Sequence, residues 1–300
     1  MTSNEQTELS RSFQPLAVFG LVARGAVMGV AEVLPGISGG TVALILGVYE
    51  RMVGALSKLV LVFKDLVQFK WKSLGQLPQP LTVLVPLLVG MSIGALVAIN
   101  TIVHVVRSHP TLVFGAIFGL VLGAIVFTFR ASALNRLLLL LPLGLVVSLA
   151  IVLLPKSDTP AGWILIYVGG CLAFGAWILP GISGSLLLLI LGLWQTMLDA
   201  FHALDWLKML VFLTGILTGW LVFSHPVKVL LERYRTSVMA LFCGLLVGSL
   251  WKVWPWRDDS FPVLPHQYDG NADIVAVILL MAAGFGLVMV LSHVYTKNSS

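Results

Sequence analysis

The chain has 300 residues, of which 58% are hydrophobic and only 10% are charged, and its formal net charge is +5. A soluble domain has roughly 25% charged residues, so this chain has too few charges to cover a surface in water. The composition excludes a soluble protein and predicts an all-α polytopic membrane protein. The positive charge does not indicate a nucleic-acid partner, because Lys and Arg in a membrane protein accumulate in its cytoplasmic loops.

Apolar segments follow one another along the whole chain, and each is near the ~20 residues that a helix needs to cross the hydrocarbon core. There are about five in each half, with no soluble domain between them. The chain is therefore predicted to be a single membrane domain, 1–300. The segments lie at 15–34, 41–63, 81–106, 111–129, 134–154, 161–179, 185–201, 206–223, 237–254 and 272–294.

The first apolar segment ends in Glu-Val-Leu-Pro-Gly-Ile-Ser-Gly-Gly-Thr, at Glu32–Thr41. A similar sequence, Trp-Ile-Leu-Pro-Gly-Ile-Ser-Gly-Ser-Leu, follows 145 residues later at Trp177–Leu186. Pro35 and Pro180 cannot continue a helix, so each copy predicts a structural break within an apolar run. A broken-helix element that occurs twice indicates an internal duplication.

Pairs of glycines four residues apart extend the similarity between the halves. Such pairs let helix backbones approach closely, and although they are common in membrane helices, here they align together with the two breaks. We therefore predict two repeats, 15–154 and 161–294. The aligned pairs, at a common offset of 125 residues, are Gly90 and Gly94 with Gly215 and Gly219, and Gly119 and Gly123 with Gly244 and Gly248.

The charges between the segments predict how the repeats are oriented. Lys and Arg follow the second, fourth and eighth segments, which fall on one side if the segments alternate, and that side should be cytoplasmic. Both termini would then be cytoplasmic. An odd number of segments per half makes the repeats inverted, as in many secondary transporters. These basic residues are Lys64, Lys70, Lys72, Arg130, Arg136, Lys228, Arg233 and Arg235.

The segments that flank each break either both span the membrane or form a re-entrant hairpin, because both arrangements preserve this parity. We favour re-entrant hairpins. Unpaired backbone groups at a break are tolerated at membrane depth only inside protein or beside a water-filled cavity. Each repeat would then contain one broken-helix hairpin and about three spanning helices.

The two breaks have the composition of an anion site. Glycine permits close approach of the backbone, and a Ser or Thr hydroxyl can cap the following helix, so several N–H groups would face a ligand such as phosphate. Two such sites at the repeat interface would hold one anionic group from both sides. The alternative is that each motif only joins two helices. The candidate phosphate ligands are Gly36, Ser38, Gly39, Gly40 and Thr41, and Gly181, Ser183, Gly184 and Ser185.

Arg24 and Glu32 are charged residues within the first apolar segment, where each costs roughly 2.5–3.5 kcal/mol at a helix centre. Arg24 could neutralise a phosphate, pair with Glu32 when the site is empty, or extend to the cytoplasmic surface. Glu32 beside an anion site would repel phosphate unless protonated, which makes it a candidate proton carrier. The alternative is a structural hydrogen bond to the broken backbone. The second repeat has Trp177 at this position, so any coupling to protons or sodium would be asymmetric.

Glu50 and Arg51 follow the second apolar stretch and are predicted to be a solvated pair. Gln195 and Thr196 replace them in the second repeat. The histidines are scattered near the ends of segments without the spacing of metal ligands, so we predict neither a metal nor a cofactor.

The stretch Gly29–Glu50 resembles the first hallmark of the bacterial polyprenyl-phosphate transporter family, and Leu179–Gly192 resembles its second. Length and hydropathy agree along essentially the whole chain, but only these two stretches are specific. The resemblance implies a flippase that returns undecaprenyl phosphate from the outer to the inner leaflet of the bacterial inner membrane, where it again carries peptidoglycan and other envelope precursors. Gln195 departs from the acidic residue expected in the second hallmark, which argues against a mechanism that needs acids in both halves.

Two other classes share part of this pattern. Intramembrane undecaprenyl-pyrophosphate phosphatases have a similar Glu-x-Leu-Pro loop, but their pattern continues into a catalytic His and carries an Arg in the second Pro-Gly loop. Neither residue type occurs at 37–41 or 181–185. A nucleophile would therefore lack its base and its phosphate clamp, and we expect no enzyme. A channel or exchanger for small anions is the other alternative, since broken-helix N-termini also suit such ions.

Overall fold

A computed structural model of the protein describes residues 15–33, 38–100, 105, 108–153, 162–258 and 261–299. Over these residues the chain is almost entirely helical, and their one sheet is a two-stranded antiparallel ribbon of β1 (Arg257–Asp258) and β2 (Phe261–Pro262). Five of the described helices are long and apolar enough to cross a membrane. The prediction of an all-α polytopic membrane protein is confirmed.

The first half begins with a helix that ends at the first break. This helix, α1, covers Pro15–Val33, and a short helix α2, Gly39–Ile45, follows the break. The elements after α2 are α3 (Tyr49–Val67), a 3-10 turn (Trp71–Gln76), α4 (Pro78–Asn100), α5 (Pro110–Arg130) and α6 (Leu134–Leu153).

The second half begins in the same way. Helix α7 covers Trp163–Ile178, and the short helix α8, Gly184–Ile190, follows the second break. Both ends of α2 and α8 correspond at the offset of the two sequence motifs. The later elements are α9 (Leu193–His202), α10 (Trp206–Ser249), the β-ribbon, a 3-10 turn (Pro265–Gln267) and α11 (Ile274–Ser299).

Two apolar segments that the sequence presents as continuous are broken in the structure. Gly47, between α2 and α3, has a φ of 68°, and Gly192, between α8 and α9, has a φ of 69°. Glycine adopts these left-handed angles readily because it has no Cβ. The predicted segments 41–63 and 185–201 were therefore wrong as single helices, and each contains two.

Helix α10 joins two predicted segments, 206–223 and 237–254, into one element of 44 residues. Its backbone leaves helical geometry at Tyr234, with φ −133° and ψ 37°, so two helical parts meet there at a kink. Apart from Tyr234, the polar stretch around the kink stays helical, and its backbone groups therefore remain paired. The basic residues expected in a loop flank the kink instead, namely Lys228, Arg233 and Arg235.

Glycines on α4 and on the first part of α10 let the backbones of these helices lie directly against the backbones of α1 and α7, respectively. A Cβ at any of four positions would collide with a carbonyl group of the neighbouring helix. The glycines and their partners are related by the same offsets that relate the two halves in sequence, which supports the predicted duplication. The pairs are Gly90 with Val22, Gly94 with Ala26, Gly215 with Tyr167, and Gly219 with Cys171.

The last helices of the two halves are exchanged. Helix α5 packs against α11 of the second half, and the second part of α10 packs against α6 of the first half. Glycines mark these contacts as well, because Gly119 lies against the carbonyl of Met281 and Gly244 against the carbonyl of Leu141. Each half therefore completes the packing of the other.

The hydrophobic core lies between the halves, where α10 packs against α3 and α5. Tyr49 and Phe242 are both 1% exposed. Their rings form an edge-to-face pair with centroids 5.7 Å apart, a favoured arrangement of two aromatic rings. This core packs against the ends of the broken helices.

We expect Gly94→Ala to destabilise the protein, because the new methyl group would collide with the carbonyl of Ala26 and separate α4 from α1. Overpacking of this kind typically costs ~1–3 kcal/mol. The matched control is Gly54→Ala in α3, where no atom lies within 4 Å of the new Cβ. Thermal unfolding of the detergent-solubilised variants measures the difference, and equal midpoints would contradict the close packing of α1 and α4.

Candidate functional site

The two breaks meet at the centre of the molecule, where one carboxylate joins them. Glu32 lies in the last turn of α1, and Trp177 occupies the equivalent position of α7. The indole Nε1–H of Trp177 donates a hydrogen bond of 2.7 Å to Oε1 of Glu32. The backbone N–H of Gly39, at the start of α2, donates to the same oxygen, also over 2.7 Å. One oxygen thus connects both sides of the first break to the second half.

The predicted proline break is observed in the second half. Helix α7 ends at Ile178, two residues before Pro180. Proline has no N–H to donate and disfavours helical geometry in the residue before it, which explains where this helix stops. The corresponding Pro35 of the first copy, and Gly36 after it, lie outside the described residues.

Two further hydrogen bonds cross between the halves. The Thr41 hydroxyl oxygen accepts from the N–H of Gly181 over 2.9 Å. The Tyr49 hydroxyl donates to the carbonyl of Ile178 over 2.5 Å. Both side chains are buried, and a buried polar group left without a partner would cost roughly 1–3 kcal/mol. These bonds therefore fix the second break against α2 and α3.

Two glycines allow the breaks to approach this closely. A Cβ at Gly40 would lie 2.5 Å from the carbonyl oxygen of Trp177. Gly181 has a φ of 88°, and a Cβ there would lie 2.8 Å from backbone atoms of Leu245 and Leu246 in α10. A larger residue at either position would push the halves apart.

The predicted serines lie beside the breaks. Ser38 caps α2 and accepts from the N–H of Gly40 over 3.1 Å. In the second half the hydroxyls of Ser183 and Ser185 are 2.8 Å apart, and Gly184 lies against the backbone of α7. The structure thus brings the described Gly, Ser and Thr candidates of both halves to the facing breaks.

Three of the N–H groups proposed for an anion, those of Gly39, Gly40 and Gly181, are engaged by the protein itself in this structure. Gly39 and Gly40 supply the first two N–H groups of α2, and they donate to Glu32 and Ser38. Helices α2 and α8 have only seven residues each, so any attraction for an anion comes from individual N–H groups rather than from a long helix dipole. An anion could reach Gly39 only by taking the place of the Glu32 carboxylate.

Arg24 lies away from the breaks. Its side chain is exposed, and its guanidinium extends back along α1, with Nη1 4.0 Å from the position that a Cβ at Gly20 would take. Eight residues of helix, about 12 Å, separate Arg24 from Glu32. The structure does not bring these two charges together.

Glu50 pairs with a residue that the sequence did not indicate. Its Oε1 lies 2.8 Å from Nε of Arg235 in α10, and the two side chains are 43% and 47% exposed. The expected neighbour Arg51 is not its partner. An ion pair this exposed contributes little to stability, but it adds a link between the halves at the surface.

Trp177 and Tyr49 contact the breaks but are neither charged nor small, so the sequence patterns used to predict the site did not include them. Both lie within apolar sequence next to a helix end, and both carry one polar atom on a large ring. A buried Trp N–H or Tyr O–H nearly always has a partner. That requirement is the signal in the sequence that could have assigned them to the breaks.

We expect Trp177→Phe to destabilise the protein by ~1.5–3 kcal/mol, because it removes a donor to a charged acceptor. The effect should be smaller in a Glu32→Gln background, where the acceptor is neutral. A double-mutant cycle on thermal unfolding measures the coupling between the two residues. Trp206→Phe, at a ring that is 63% exposed, is the control for losing an indole. Additive effects of Trp177→Phe and Glu32→Gln would show that this hydrogen bond contributes nothing.

Comparison with known proteins finds a family model and curated relatives that are similar to the chain. A protein-family model described as VCA0040-like, undecaprenyl phosphate translocase-like, matches residues 28–266. A polyprenyl-phosphate transporter of Vibrio cholerae is 32% identical over 242 residues, which cover 78% of this chain and 77% of the relative. A polyprenyl-phosphate transporter of Staphylococcus aureus is 27% identical over 256 residues, which cover 78% and 85%. No solved structure matches the chain. The chain belongs to the VCA0040-like, undecaprenyl phosphate translocase-like family of multi-pass membrane proteins.

Proposed function

We propose that this protein flips undecaprenyl phosphate across the bacterial cytoplasmic membrane and returns the lipid carrier to the inner leaflet for envelope synthesis. Its family and two relatives named polyprenyl-phosphate transporters support this role. The role is transport of the intact lipid phosphate and involves no hydrolysis. The five membrane-length apolar helices suit a substrate that never leaves the bilayer.

The Glu32 carboxylate, held by donors from both halves, is the observation that carries this proposal. A carboxylate and a phosphate accept from the same kinds of donor, with hydrogen bonds of about 2.7–2.9 Å from charged or polar N–H groups. In our proposal the lipid phosphate displaces Glu32 and accepts from Gly39 and Trp177. The other ligands would come from both breaks, namely Gly36, Ser38, Gly40, Thr41, Gly181, Ser183, Gly184 and Ser185.

The transport cycle in this proposal is alternating access between two inverted repeats, each with a re-entrant hairpin. The same glycine contacts recur in both halves. Glu32 and Trp177, which are equivalent residues, also touch each other. A residue that contacts its own counterpart lies at the axis that relates two copies. A single site at this axis can be presented to either leaflet. Both termini would face the cytoplasm.

Arg24 has a separate role in this proposal. Its exposed guanidinium is directed toward the start of α1, which the proposed orientation places at the cytoplasmic side. There it would attract the phosphate after release from the breaks. Glu32 would couple the cycle to protons, because a protonated carboxyl is a weaker acceptor for Gly39 and Trp177 and gives way more easily to phosphate. Sodium is the alternative coupling ion.

Reconstitution tests the function directly. Liposomes that contain the purified protein and a fluorescent undecaprenyl phosphate should lose more than half of their fluorescence to a membrane-impermeant quencher, because flipping exposes the inner-leaflet lipid. Gly40→Ala, which places a methyl group against the Trp177 carbonyl, should slow flipping at least tenfold. Gly54→Ala should not change it. The proposal would be refuted if the wild type left the inner-leaflet lipid protected from the quencher. It would also be refuted if the protein released phosphate from the pyrophosphate lipid, or if it carried chloride but did not flip the lipid.

The proton-carrier role of Glu32 predicts the direction of a pH effect. Protonation weakens the hold of Glu32 on its two donors, so flipping by the wild type should accelerate as the pH falls. Glu32→Gln resembles the protonated side chain and should flip at a rate that changes little with pH. The phosphate of the substrate also titrates, with a pKa of about 6, but its effect is common to both proteins. Identical pH profiles for the two would remove Glu32 as the proton carrier.

A further inference from the structure

A cavity of about 520 Å³ lies beside the second break, between α5, α6, the end of α10 and the segment that follows it. Its volume falls in the range of about 300–1,000 Å³ that is typical of small-molecule sites. It opens to the surface near Trp251, which is 40% exposed, and Leu264, which is 53% exposed. Its wall includes Phe118, Leu145, Leu149, Val247, Trp251 and Trp254.

The wall of this cavity is mostly hydrocarbon, and two of its polar side-chain atoms are engaged within the protein. The indole N–H of Trp254 donates to the carbonyl of Val263 over 2.8 Å. The side-chain oxygen of Gln267 accepts from the N–H of Leu264 over 3.3 Å. Because these polar atoms already have partners in the protein, the cavity favours an apolar guest.

The cavity adjoins the proposed phosphate site. Gly181 of the second break lies against the backbone of Leu245 and Leu246, and the next two residues of α10, Val247 and Gly248, line the cavity. Along α10, the residues that contact the break and the residues that line the cavity are therefore within one turn of helix, about 5 Å, of each other. In addition, α8, which begins right after this break, contacts α6, the helix that carries Leu145 and Leu149.

We infer that this cavity binds the first isoprene units of the lipid whose phosphate occupies the breaks. The inference rests on the proposed function. The adjacency of a polar site and an apolar cavity matches a molecule that has a phosphate at one end and a branched hydrocarbon directly attached to it. The cavity would then select isoprenoid phosphates over inorganic phosphate and other small anions, since these gain nothing from an apolar wall.

Filling the cavity tests this inference. Leu145→Trp and Leu149→Trp should each weaken binding of undecaprenyl phosphate to the reconstituted protein about tenfold, which corresponds to roughly two methylene groups losing their contacts. The matched control is Val146→Trp, a neighbour on α6 that is 63% exposed and does not line the cavity. It should bind like the wild type.

Photocrosslinking provides a second measurement that does not depend on how well a Trp variant folds. A benzophenone amino acid at position 149 should capture radiolabelled undecaprenyl phosphate, and excess unlabelled lipid should compete. The same group at position 146, which faces the bilayer, should capture lipid without competition. The inference alone is overturned under a combination of three results. The wild type flips the lipid, the two Trp variants bind it as well as Val146→Trp does, and the benzophenone at position 149 captures no lipid. If the wild type neither binds nor flips the lipid, the proposed function fails as well.

Discussion

The hydrogen bonds to a single oxygen of Glu32 hold the centre of this protein together. A break in an apolar helix exposes backbone N–H groups where there is no water to accept from them, and such groups must find partners in the protein. Glu32 provides that partner for Gly39 and at the same time holds Trp177 of the other half. The close approach at Gly40 and the buried hydrogen bond of Thr41 to Gly181 hold the two breaks together beside this contact.

The scaffold is nearly symmetric, but the chemistry at its centre is not. The two short helices have the same length and the same glycine turn after them, so the element that follows each break is built in the same way in both halves. At the point of contact, however, one half contributes an acceptor and the other a donor. Two glutamates there would repel each other, and two tryptophans would leave both N–H groups without an acceptor. The asymmetry of Glu32 and Trp177 is therefore what allows equivalent positions to meet.

The sequence predicted the membrane class, the place of the second break and the aligned glycines, because each depends on a local property: hydropathy, the missing N–H of proline, or the small size of glycine. It did not predict the turns at Gly47 and Gly192, since a glycine within an apolar run is common and only its φ distinguishes these two. It also missed the role of Trp177 and the partner of Glu50, because those contacts join residues far apart in the chain. Arg24 shows the opposite case, in which a conspicuous residue lies away from the breaks.

The exchange of the last helices has a consequence for how such a protein could arise. A chain with only the first half would leave the glycine face of α5 without the helix that covers it here, and a matching surface from another molecule could take that place. Two copies inserted in opposite directions would satisfy each other in the way that α5 with α11 and α10 with α6 do here. Under the predicted duplication, the chain has the form of an interlocked dimer whose subunits have been joined. Fusion would then have freed each copy to change alone, as the different residues at Glu32 and Trp177 require.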